Sequence, residues 1–313
     1  MYKIENLNLS FNNGEKIIIL NKGNTLLFYQ PKQNAKLISI YEKSIESGYK
    51  LTLELELEEN ITCIYSIMLS NENIIISGWK SVVIFIKKNN SNYLKNQVFY
   101  GLSGWGKMIK IKELKNECFG VCGYNGLTTF QKQFANYEIS FEIKAEEEIY
   151  DFMEIKWKDN SFIMCGKKKI YIINDKKIVN KINFELTNKS GFYMTLMNFF
   201  DYICQFRDDL YVICGSKYII LINTRENKFK QIEFLKENDE SKFHIYKYNS
   251  NSIIILSGEK IIIIQIIDDE RIQIKTRIIF KDKFFLRFVK EERAIYFIEN
   301  NNIGKLKFKR NFM

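Results

Sequence analysis

Residues 73–87 read NIIISGWKSVVIFIK. An Ile-rich run meets Ser77 and Gly78, passes through a polar turn, and is followed by a second β-branched run. Runs this short, without helical spacing, are two buried strands joined by a tight turn. Working outward, residues 61–69 alternate and supply an inner strand. Residues 71–73 are a polar turn, and 89–92 turn again toward an outer strand near 96–100. The same pair of runs recurs at 16–30, 117–132, 161–174, 210–223, 252–265 and 294–309. In five of the seven copies the turn falls at Ser-Gly or Cys-Gly: Ser77-Gly78, Cys122-Gly123, Cys165-Gly166, Cys214-Gly215 and Ser257-Gly258. Successive glycines are 45, 43, 49 and 43 residues apart.

A period of about 40–50 residues with four short strands per unit predicts an all-β fold, a β-propeller of mostly four-stranded antiparallel blades. Seven copies predict seven blades in one domain over residues 1–313, at about 1–57, 58–101, 102–145, 146–187, 188–236, 237–281 and 282–313. Each unit buries its faces against its neighbours, so the whole length is used and nothing is left for a catalytic domain. Residues 2–11 read as the inner strand of the first unit. The last unit (284–289, 294–299, 303–309) then lacks an outer strand. Three closures stay open: a three-stranded final blade, an N-terminal segment pairing there, or a strand from a partner. Residues 31–50 and 187–200 exceed the period and read as insertions on a face, candidate contact elements.

Apolar content of 46% and aromatic content of 15% exclude a disordered chain. No window is long and apolar enough for a membrane helix, and the first residues carry charge where a secretory signal needs an apolar core. An intracellular protein with reduced, buried cysteines is expected. Cys118 and Cys122 have no second pair, and His244 is the only histidine, so no metal site is expected. The net charge is +10, yet only seven of 47 basic residues are Arg, all between Arg207 and Arg310. Lys, Asn, Ile, Phe and Tyr share AT-rich codons, which supplies lysine without selection for a polyanion. The positive field still favours acidic partners.

The 73–87 unit resembles the middle two strands of a WD40 repeat. The hallmark dipeptides are absent: Phe85-Ile86, Tyr171-Ile172 and Leu221-Ile222 stand where Trp-Asp would end a third strand. No Gly-His precedes an inner strand, since His244 follows Phe243. The chain therefore resembles a degenerate WD40-like propeller, without that family's Asp-His-Ser/Thr-Trp network, and other seven-bladed families stay open. The fold alone does not license a function. With no metal cluster, usable base–nucleophile pair or complete nucleotide motif in the sequence, a non-enzymatic protein–protein interaction scaffold, a subunit or adaptor of a larger complex, is expected.

Gly101–Lys107, GLSGWGK, matches the first seven positions of a phosphate-binding P-loop, but Met108 replaces the required Ser or Thr. Residues 108–114 alternate like a strand and cannot open the necessary helix, so no cofactor is expected. His244 lies in a predicted inner strand and reads as structural. Asp208-Asp209 and Asp268-Asp269 read as turn caps, and Glu146–Glu148 as a solvated loop. Trp157, in an alternating run, reads as core. The WD40-like arrangement places Trp79, Lys80, Trp105, Lys107, Tyr124, Lys167, Lys168, Lys217, Tyr218 and Lys260 in second-to-third-strand turns or blade connections of one face. Aromatics beside cations suit hot spots for acidic protein segments. The rival partners are RNA or a phosphoinositide membrane surface, although no Phe-Arg-Arg-Gly motif is present. A propeller enzyme with carboxylates around its channel is the third class.

Overall fold

The computed structural model describes residues 2–10, 16–20, 25–29, 37–44, 48–56, 65–78, 81–88, 92–100, 108–124, 126–166, 168–183, 202–214, 218–233, 243–257, 259–280, 283–289, 292–300 and 302–308. Among these, seven four-stranded sheets form. Six are built from four consecutive strands. The first holds β2–β5 (Lys16–Leu20, Thr25–Tyr29, Leu37–Ser44, Gly48–Glu56), and the second β6–β9 (Tyr65–Met68, Ile74–Ser77, Ser81–Lys88, Asn92–Tyr100). The third holds β10–β13 (Met108–Glu113, Phe119–Gly123, Gly126–Gln133, Asn136–Lys144), and the fourth β14–β17 (Ile149–Glu154, Phe162–Gly166, Lys169–Asn174, Lys177–Asn183). The fifth holds β18–β21 (Tyr202–Gln205, Leu210–Cys214, Tyr218–Asn223, Lys228–Glu233), and the sixth β22–β25 (Phe243–Lys247, Ser252–Ser257, Lys260–Ile266, Ile272–Ile279). The remaining sheet is composite: β1 (Tyr2–Ser10) pairs with β28 (Asn302–Phe308), followed by β27 (Ala294–Glu299) and β26 (Phe284–Val289).

The apolar runs are continuous because both faces of the middle strands are covered. In β7 and β8, Ile74, Ile76, Val83 and Phe85 pack with Leu27, Ile38 and Ile40 of the first sheet. Alternate residues Ile75, Val82 and Ile84 pack with Phe119, Val121 and Phe130 of the third. The fifth sheet repeats this: Tyr211, Ile213, Ile220 and Ile222 join the fourth-sheet cluster, while Val212, Cys214, Ile219 and Leu221 join that of the sixth. Each such aliphatic side chain, wholly buried, stabilises by about 1.5–3 kcal/mol. The chain divides into two compact units. One comprises Met1–Val121, Phe130–Glu138 and Phe280–Met313, and the other Cys122–Thr129 and Ile139–Ile279.

Two expectations about the N-terminal region are corrected. Residues 2–11 were expected as the first unit's inner strand, but β1 is the outer strand of the composite sheet. Its register runs from Tyr2 opposite Phe308 to Asn6 opposite Gly304. Covering the free edge of β28 satisfies backbone groups that the last three strands leave unpaired. The hairpin at 16–30 accordingly holds the first and second strands of its sheet, and much of 31–50, expected as an insertion, is β4 and the start of β5. The second expected insertion, 187–200, lies outside the described residues.

Candidate functional site

The expected site residues that are described share one kind of position. Tyr124 is in the turn between β11 and β12, Lys168 between β15 and β16, and Tyr218 and Lys260 open β20 and β24 just after the corresponding turns. All four belong to the second compact unit. Tyr124 is 51% exposed. Trp79, Lys80, Trp105, Lys107, Lys167 and Lys217 lie outside the described residues, as does Gly101–Lys107. The alternating segment after it is the strand β10.

The fourth sheet shows how such a turn is held. The Glu147 carboxylate accepts the backbone N–H of Lys168 at 3.0 and 3.1 Å and that of Lys169 at 2.8 Å. It lies so close to Gly166 that an added Cβ would stand 2.3 Å from its Oε1. A side chain at this position would push the Glu147 carboxylate off the turn it caps. Burial pushes the Glu147 carboxyl up, and the two N–H groups oppose that rise. Glu146 pairs with Lys169 at 2.6 Å and with Lys181, which hold it down at about 2. The acidic run 146–148, expected as a solvated loop, thus includes a half-buried carboxylate that caps the turn.

Turns at the other ends of these strands hold a cluster that the sequence reading missed. Trp157, expected in the core, sits in the turn between β14 and β15 and is 40% exposed. Its indole N–H donates to Thr224 Oγ1 at 3.0 Å, and Arg225 lies over its ring at 5.6 Å. Thr224 Oγ1 in turn donates to the Asp209 carbonyl at 3.1 Å. The buried Asn223 caps this turn by accepting the N–H of Arg225 and of Glu226, each at 3.0 Å. It also donates to Asp269 Oδ2 at 2.7 Å, and Asp269 pairs with Arg207. Asp268 accepts the Glu270 N–H at 3.0 Å, the expected turn cap, and pairs with Arg271 at 2.6 Å. The missed signal was local: Lys156, Lys158, Asp159 and Asn160 make Trp157's surroundings those of a turn.

Two candidate catalytic groups among the described residues lie within inner strands. His244 is half-buried on β22 opposite Leu256. Asp151 is wholly buried, and its oxygens accept the N–H of Phe152 and of Ile203, both at 2.8 Å. That carboxylate ties the inner strand of the fourth sheet to that of the fifth. Among the described residues no three His, Cys, Asp or Glu side chains gather to hold a metal ion, and no helix is long and apolar enough to cross a membrane.

No family model and no curated protein sequence matches the chain. Solved structures do. A catalytically inactive histidine-to-alanine variant of virginiamycin B lyase from Staphylococcus aureus, with quinupristin, matches at TM-score 0.65. The match covers 99% of this chain and 100% of that one at 16% identity. Saccharomyces cerevisiae Sqt1 matches at TM-score 0.66 and 11% identity, covering 94% of this chain and 83% of that one. The WD40 domain of Neurospora crassa Pan2 gives TM-score 0.64 and 11% identity, covering 93% and 87%. The fold is a β-propeller. Its blades are four-stranded and antiparallel, and some of its structural relatives are WD40 propellers. At these identities the likeness is one of fold, and function has to be argued from the turns.

Proposed function

We propose that this propeller is a non-enzymatic protein–protein interaction scaffold inside the cell, a subunit or adaptor of a larger complex. In this reading the seven sheets are the blades of a single propeller domain, with β1 completing the last of them. Partners bind through the loop faces, and the second-to-third-strand turns receive acidic protein segments. The observation that carries it is the placement of Tyr124, Lys168, Tyr218 and Lys260 at one kind of turn in four consecutive blades, each backed by densely packed strands. Rigid turns presenting aromatics and cations suit an interface, since little side-chain and backbone freedom is lost on binding. The fold relatives Sqt1 and the Pan2 WD40 domain support the same class.

The test is an affinity purification from native extract with wild type and a Tyr124→Ala, Lys168→Ala, Tyr218→Ala, Lys260→Ala variant. Loss of a defined co-purifying protein from the folded variant is the expected result. Equal recovery by both would sink this choice of face. A lyase reading is favoured by one fact, the end-to-end match to virginiamycin B lyase. Incubation with quinupristin, followed by chromatography, tests it, and consumption of the antibiotic would overturn the scaffold reading. In the polyanion alternative, RNA or an anionic membrane surface takes the place of the protein partner.

A further inference from the structure

Resting on the scaffold reading, we infer that Trp157 and Arg225 form a preformed docking site for an acidic residue flanked by an apolar one, in an extended segment of a partner protein. The two side chains come from adjacent sheets within one compact unit, and the Trp157 indole and the backbone of Arg225 are each held by hydrogen bonds. The indole is tethered through its N–H to Thr224, and Thr224 is anchored by donating its backbone N–H to the Asp209 carbonyl at 2.8 Å. The backbone that carries Arg225 is capped by the buried Asn223. Binding there therefore orders few groups anew.

Arg225 differs from the neighbouring arginines in what its charge meets. Arg207 is neutralised by Asp269 and Arg271 by Asp268, and the nearby Glu226 is taken by Lys228 at 2.8 Å. Among the described residues, Arg225 has the Trp157 ring and no carboxylate. A guanidinium held over a ring without a carboxylate partner keeps N–H groups that can take a carboxylate. The exposed part of the indole beside it suits an apolar side chain from the same segment. The surrounding turns carry Asp208, Asp209, Asp268 and Asp269. With Asp268 and Asp269 already paired, Asp208 and Asp209 are the acidic groups that disfavour a run of phosphates beside Arg225, so a peptide with a single carboxylate is favoured over nucleic acid.

The probe is a random peptide library displayed on phage and selected on the full-length protein. Recovered peptides are then measured by fluorescence anisotropy on wild type, Trp157→Ala, Arg225→Gln and Arg225→Lys. A Tyr124→Ala, Lys168→Ala variant controls for the other set of turns. The expected result is enrichment of Asp or Glu beside Leu, Ile or Phe, with affinity falling about tenfold in each of the first two variants. Affinity should also fall when the peptide carboxylate is replaced by an amide. Unchanged melting curves are expected, because both side chains are exposed. Peptides that bind the Trp157 and Arg225 variants as tightly as wild type overturn this site. If the same peptides are lost on the Tyr124 and Lys168 variant, the scaffold reading survives without it. Recovery of no peptide, with capture only of single-stranded RNA or anionic vesicles, overturns both.

Discussion

Glycine 126 occupies a backbone position that no side chain fits. Its φ is +136°, and an added Cβ would stand 1.8 Å from the Ile143 carbonyl oxygen across the hairpin. Gly126→Ala should therefore destabilise the protein by at least about 2 kcal/mol in denaturant unfolding. Asp151 acts between strands. A register shift between Ile149 and Asp151 frees its carboxylate to accept the Ile203 N–H. Asp151→Ala leaves that buried donor unpaired and should cost about 1–3 kcal/mol in the same measurement, with little change on truncating the exposed Glu142. At this scale the sequence was legible at the turns, as at Cys165-Gly166, where the Glu147 carboxylate caps the turn that follows β15. It misled at Trp157, because the period-two pattern of Ile149, Met153 and Ile155 continues past the end of β14. The chain there has already turned, closed by the Ile155 N–H on the Ser161 carbonyl at 2.8 Å.

Strands proved easy to find and hard to rank. The apolar runs of β7, β8, β19 and β20 mark doubly buried strands wherever they occur. Nothing local in residues 2–10 says whether that strand is innermost in one sheet or outermost in another, since the answer lies in a partner about 300 residues away. Deleting residues 1–10 should expose the β28 edge, lower the melting temperature and promote association, read by light scattering. A synthetic peptide of residues 2–10 should restore the monomer; a deletion variant as stable and monodisperse as wild type would contradict the composite sheet. The first and composite sheets also share a polar clasp. Glu292 takes Lys43 at 3.1 Å, the Tyr296 hydroxyl at 2.8 Å and the buried Lys305, and Tyr296 meets the Tyr49 hydroxyl at 3.3 Å. Burial alone would raise the Glu292 carboxyl, but bonds from Lys305, Tyr296 and Lys43 outweigh it and hold the group below its usual 4.5. Burial also lowers the Lys305 ammonium, and Glu292 opposes this. A carboxyl depressed on folding contributes stability above its unfolded value and loses it as pH falls through the folded one. Glu292→Gln should therefore cost about 2–3 kcal/mol at pH 7. That is below the range for a fully buried pair, because the Glu292 side chain keeps 18% exposure. It should also flatten the loss of stability that wild type shows below pH 4.5.

For the molecule as a whole, the repeat period announced a propeller, and the architecture of four-stranded antiparallel blades followed from it. Function was less legible, because folds carry sites that local pattern does not mark. Tyr124, Lys168, Tyr218 and Lys260 could be placed from the position of Ser-Gly and Cys-Gly alone. The Trp157–Arg225 pair could not, being assembled from turns 68 residues apart in sequence. The net charge of +10 is the chief rival explanation for any binding. Contacts to phosphates weaken by about 10³ or more between 50 and 200 mM salt when six or more are made, whereas a buried aromatic interface is far less sensitive. The most direct measurement is affinity purification from nuclease-treated native extract at those two salt concentrations. Captured proteins would be identified by mass spectrometry and rebound in purified form. The scaffold account predicts the same defined proteins at both salts, rebinding without nucleic acid. Capture that disappears with nuclease or at the higher salt would contradict it and assign the protein to polyanion binding.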